Sequence, residues 1–72
     1  MSAFYEGLAE IFEIEAGEIG PELVLANHNW DSLAIVSTIA LIDECANRLV
    51  EGAALARCER VGDIEALIAA AD

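Results

Sequence analysis

The chain has no lysine, and its only strong cations are Arg48, Arg57 and Arg60. Fourteen Asp and Glu outnumber them and leave a formal net charge of −11. Such a surface repels phosphate polymers and anionic lipids, which argues against binding DNA, RNA or acidic membranes. The charge is not confined to one segment, because residues 1–31 carry seven acids and no base and residues 32–72 carry seven acids with the three arginines. A partner with a basic docking patch is the natural complement.

Histidine, proline and tryptophan each occur once. With His28 alone, no lysine, and neither cysteine next to His28 in sequence, no catalytic triad or dyad is recognisable. Cys45 and Cys58 form no CxxC pair and read as reduced core or surface thiols rather than a disulfide or a metal site. The acids lack the order of a calcium loop, and no glycine-rich phosphate cradle is present. His28, in Ala26-Asn27-His28-Asn29, reads as a surface or loop-packing residue. No catalytic and no metal-ligating residue is expected. Long apolar runs are missing too: Ser32 to Ile42 spans eleven uncharged residues, short of the roughly 20 a membrane helix needs. The N-terminus has no basic region and soon meets Glu6 and Glu10, unlike a secretory signal, so a cytoplasmic location is inferred.

What is present favours folding. Of the 72 residues 57% are hydrophobic, with a mean hydropathy of +0.50, too apolar for a disordered acidic segment. The length fits one domain over residues 1–72, too small for an enzyme with its own deep cleft.

Apolar residues at Phe4, Leu8, Ile11 and Phe12 mark a first helix, with Ser2 as its N-cap and Glu6, Glu10 and Glu13 on the opposite face. Gly17, Gly20 and Pro21 then break the pattern, and about fifteen residues pass before it resumes. A loop of that length needs pins, and Ile19, Leu23, Leu25 and Trp30 supply them; a short helical turn is expected near Pro21. Ser32 to about Leu49, free of Gly and Pro, is the strongest helix. Ile35, Ile39, Ile42, Ala46 and Leu49 form its expected core face. Leu33, Val36 and Ala40, among Ser37, Glu44 and Arg48, form a second apolar strip suited to a partner; the alternative is a helix buried nearly all round. Ala53 to Cys58 is a short helix, and Val61, Ile64, Leu67 and Ile68 mark a last one, with Asp63 and Glu65 near its start. The expected fold is all-α: a small four-helix bundle of three main helices and one short one, with a long loop between the first and second.

Trp30-Asp31-Ser32-Leu33 places a hydroxyl at the junction of the long loop and the best helix. Free N–H groups and the positive dipole end would tolerate a phosphate ester there. Taken alone, Asp31 or Ser32 is as well explained as a helix cap.

In these residues the chain resembles the acyl carrier proteins, small acidic four-helix domains bearing a phosphopantetheine arm on the serine of an Asp-Ser-Leu motif. Asp31-Ser32-Leu33 is similar to that motif, Ile42-Asp43-Glu44 to the family's aliphatic-acid-acid triplet, and Val61-Gly62-Asp63-Ile64 to the opening of its last helix. The resemblance implies that Ser32 receives 4'-phosphopantetheine from a separate phosphopantetheinyl transferase using coenzyme A and magnesium. It implies that Asp31 helps position the metal and the serine, and that the arm's thiol carries acyl groups as thioesters. Leu33, Val36, Ala40, Asp43 and Glu44 would then meet acyl-loading and acyl-processing enzymes bearing basic patches. The charge label is expected around Asp31, Asp43 and Glu44, beside Ser32. Ser37 stands where the family often has glutamate, Ala46 where it has a bulky aromatic, Arg60 where it has a threonine cap, and Asn29 where it has glycine. These departures favour a carrier in a specialised fatty-acid, polyketide or surface-polymer pathway, and a monomer is expected because a docking strip used by many enzymes is poorly served by permanent burial in a dimer. An aminoacyl or peptidyl carrier, and a non-carrying acidic interaction module of the same fold, are the alternatives.

Overall fold

The computed structural model describes residues 3–70. Four α-helices, α1 (Ala3–Phe12), α2 (Ser32–Ala46), α3 (Gly52–Ala56) and α4 (Val61–Ala70), surround one core, with no strand among the described residues. Ser2, the expected first cap, lies outside them. The core draws on every segment: Leu8 and Phe12 from α1, Ile19 and Leu25 from the first loop, Ile42 from α2, Val50 from the second loop, Leu55 from α3, and Val61 and Ile64 from α4.

α1 ends where Glu13 takes a left-handed conformation with φ 60°. The Ile14 N–H donates to the Ala9 carbonyl at 3.0 Å and the Glu13 N–H to the Glu10 carbonyl at 3.3 Å, the paired bonds of a Schellman stop. Ile14 is thereby folded back against the core. α1 and α2 approach closely at Gly7, where a Cβ would overlap the δ-methyls of Leu41. On the other flank of α2, Ile35 and Ile39 lie against Gly52 at the start of α3.

The loop from α1 to α2 is ordered by the four side chains that the sequence marks as pins: Ile19 and Leu25 are buried, and Leu23 and Trp30 pack against the core. Its helical turns, however, are 3₁₀ turns at Ala16–Glu18 and Leu25–His28, on either side of Pro21. Pro21 itself sits in a turn closed by the Leu23 N–H on the Gly20 carbonyl at 3.1 Å, where its fixed φ suits the second position. The loop is tied to α4 by a single antiparallel bridge, Val24 to Arg60, and by the Gly62 N–H on the Pro21 carbonyl at 2.8 Å. A Cβ on Gly62 would come within 3.0 Å of that carbonyl, so glycine is what lets the loop lie so close.

Two expectations about helix bounds and one about the core face of α2 are corrected. α2 stops at Ala46, not Leu49, because Asn47 takes the left-handed conformation (φ 55°) and its N–H caps the Asp43 carbonyl at 3.0 Å. Leu49, expected in the core, is therefore 79% exposed, and Val50 is buried in its place. α3 runs from Gly52 to Ala56, shorter than the expected Ala53 to Cys58. The buried line of α2 is Ala34, Thr38 and Ile42, with Ile35, Ile39 and Ala46 half-buried beside it. Thr38 can be buried because its hydroxyl donates to the Ala34 carbonyl one turn back at 2.8 Å.

α4 begins without a capping side chain at Arg60. Asp63 does the work from inside the first turn, its carboxylate accepting from the N–H groups of Glu59 at 3.0 Å and Arg60 at 3.1 Å. Those backbone donors, with Arg60's charge, hold the Asp63 carboxyl below the usual carboxylate range. A depressed native pKa contributes stability above the unfolded value that is lost as pH falls. Acid titration followed by circular dichroism is expected to show part of the wild-type loss below about pH 4, with Asp63→Ala already lacking that part near neutrality.

Candidate functional site

The segment ahead of α2 is held from several sides. The Trp30 indole N–H donates to the Leu55 carbonyl at 3.1 Å, and its ring meets Phe12 edge-on at a centroid distance of 6.1 Å. His28 packs on Phe12 as well, at a ring-centroid distance of 5.4 Å, in the loop-packing place its sequence context suggested. Asn29 then reverses the chain with φ 57° and ψ 51°, and its carbonyl accepts from the Asp31 N–H at 2.8 Å. Asparagine is the side chain that best tolerates this region after glycine, which gives Asn29 a conformational reason. Asn29→Val is expected to lower stability by about 1–2 kcal/mol in urea denaturation, while Asn29→Gly is tolerated.

Asp31 is the N-cap of α2, its carboxylate accepting from the Ala34 N–H at 3.0 Å. Its own carbonyl accepts from the Ile35 N–H at 2.9 Å. The cap expected of Asp31 or Ser32 is thus supplied by Asp31. Ser32, the first helical residue, is exposed, and its hydroxyl makes no hydrogen bond among the described residues. The first-turn N–H groups of Ser32 and Leu33 are likewise left at the positive end of the helix.

Beyond Ser32 the outer half of α2 is open. Leu33 is 75% and Val36 61% exposed, and Ala40, Asp43 and Glu44 are exposed with them. This excludes a helix buried nearly all round. Ser32, Val36, Ala40 and Asp43 follow one helical line, and Leu33, Ser37, Ala40 and Glu44 the neighbouring one. Asp43 and Glu44 do not sit beside Ser32: at 1.5 Å per residue they lie roughly 16–18 Å along the axis. The acids and the serine mark the two ends of an apolar stripe, a separation that the four-residue motif alone does not convey.

The thiols are far from this hydroxyl in role. Cys45 is exposed, Cys58 is half-buried, and both are free. The Cys58 thiol donates to the Ala54 carbonyl at 3.5 Å, and burial, with Asp63 nearby, pushes its pKa up, away from nucleophilic use. Among the described residues no group of three or more His, Cys, Asp or Glu is placed to hold a metal, and no helix is long and apolar enough to cross a membrane. Sequence reasoning missed the cleft of about 340 Å³ at the far end of α2, lined by Phe4, Ile42, Ala46 and Ile68 among others. Its one sequence signal is the small side chain at Ala46.

No protein-family model, curated protein or solved structure matches this chain.

Proposed function

We propose that this chain is an acyl carrier protein, a four-helix bundle that bears a 4'-phosphopantetheine arm on Ser32 and presents acyl thioesters to partner enzymes. The observation that carries the reading is the state of Ser32: an exposed, unengaged hydroxyl at the head of a helix whose outward stripe is apolar and ends in acids. The residues fit the group. The neighbouring N–H groups of Ser32 and Leu33 suit a phosphodiester, and Asp31, whose carboxylate is held by Ala34, keeps the helix start fixed under it.

No base touches the Ser32 hydroxyl, so a transferase has to supply one. Ser32 Oγ forms the new P–O bond with the phosphopantetheine phosphate of coenzyme A, its proton passes to that base, and adenosine 3',5'-bisphosphate leaves. When bound, the arm contributes a terminal thiol that holds the acyl group as a thioester. Leu33, Val36 and Ala40 supply apolar contact to successive enzymes, and Asp43 and Glu44 meet their basic patches. A surface shared by many enzymes is poorly served by permanent self-association, so the carrier is a monomer in this reading.

The test is intact mass after incubation with coenzyme A, magnesium and a broad-specificity transferase. A gain of one phosphopantetheine group, mapped to the peptide containing Ser32, is expected. No gain would leave the chain a non-carrying acidic module. Loading by an adenylating enzyme with an amino acid in preference to a fatty acid would make it an aminoacyl carrier.

A further inference from the structure

The cleft of about 340 Å³ at the far end of α2 is a junction of three helices, with Phe4 from α1, Ile42, Cys45 and Ala46 from α2, and Glu65 and Ile68 from α4. Its volume falls within the range of small-molecule sites, about 300–1,000 Å³. Ile42 is buried and Phe4, Ala46 and Ile68 are half-buried, so most of the wall is apolar. One charged group interrupts it. Glu65 is half-buried, and its Oε2 accepts from the Tyr5 hydroxyl at 2.9 Å, a neutral donor that orients the carboxylate and leaves its charge in place. Its Oε1 accepts no hydrogen bond among the described residues. A carboxylate has acceptor capacity for more than one donor, and in a partly apolar wall that capacity favours a ligand that fills it.

We propose that this cleft binds a primary alkylammonium ion, with its chain against Phe4, Ala46 and Ile68 and its ammonium group donating to Glu65. The same walls discriminate against other ligands. An alkyl carboxylate meets Glu65 on a chain whose net charge is already −11. A neutral alcohol of equal length gains the apolar contact and forgoes the charge-assisted bond. A calcium or magnesium ion needs about six oxygen ligands, and the cleft presents one carboxylate. The hollow of about 420 Å³ at Trp30 and Cys58 also has one acid, but Glu59 is exposed and keeps its water. The site goes beyond the carrier reading and does not depend on it: Cys45 is about 20 Å along the α2 axis from Ser32.

The experiment titrates the isotope-labelled full chain with n-hexylamine at neutral pH and constant ionic strength, followed by NMR, with hexanol and hexanoate as comparison ligands. Saturable shifts are expected at Phe4, Ala46, Glu65 and Ile68, with hexylamine bound about tenfold more tightly than hexanol. Glu65→Gln keeps the side-chain length and an acceptor for Tyr5; it is expected to weaken hexylamine about tenfold and to leave hexanol unchanged. Cys45 gives an independent readout. Its exchange with the neutral disulfide dithiodipyridine is expected to slow under saturating hexylamine, while Cys58, outside the cleft, reacts at its original rate. Equal affinities for the three ligands, full affinity in Glu65→Gln, an unprotected Cys45, or unsaturating shifts spread over exposed acids such as Glu10 and Asp43 would each overturn the proposal. None of these results bears on whether Ser32 is loaded, which is read by mass.

Discussion

Ser32→Ala is expected to gain no phosphopantetheine under conditions that load the wild type fully, while keeping the wild-type helix content and unfolding midpoint. The second half of that result follows from the local structure. Ser32 is exposed, its hydroxyl bonds to nothing among the described residues, and the cap is made by Asp31. Alanine is the strongest helix former, so stability should change by no more than about 0.5 kcal/mol. The first half follows from the other hydroxyls among the described residues. Thr38 is buried and bonded to the Ala34 carbonyl. Tyr5 donates to Glu65 at 2.9 Å, a bond to a carboxylate that raises its pKa. Ser37 is half-buried. A mass gain in folded Ser32→Ala equal to that of the wild type would move the acceptor elsewhere and defeat the assignment of this serine.

The pair Asp31 and Ser32 was legible in the sequence because a helix start has a strong local grammar: a short polar acceptor, then an apolar periodic run. The outward stripe was legible for the same reason, since Leu33, Val36 and Ala40 fall at helical spacing and the core had no need of them. The error at Leu49 came from extending that period through Asn47, whose left-handed backbone ends the helix; asparagine at such a position is a stop signal that apolar spacing alone overrides. The core line through Ala34 and Thr38 escaped notice because neither is a large apolar residue, and a close approach such as Gly7 to Leu41 selects small side chains. The path of the loop around Pro21 depends on contacts distant in sequence, such as Gly62 with Pro21, which no local pattern encodes.

Leu55→Ala is expected to be the most damaging single change in the core. Leu55 is fully buried in α3, a helix of five residues that is too short to persist on its own propensity. Since alanine favours helix, the loss is one of packing: about 2–5 kcal/mol for a large aliphatic side chain removed from a closed core. A domain of 72 residues at about 0.05–0.15 kcal/mol per residue has only about 4–11 kcal/mol in total, so much of the population is expected to unfold well before the wild-type midpoint. The damage also travels to the site. The Leu55 carbonyl is the acceptor for Trp30, and Trp30 immediately precedes the cap that fixes Ser32. If α3 melts first, Trp30 fluorescence will change at lower urea than the far-ultraviolet circular dichroism. If the domain fails as one unit, the two signals will shift together. An unchanged midpoint by both probes would mean that α3 contributes little to the core, and that Trp30 is held by its packing on Phe12 instead.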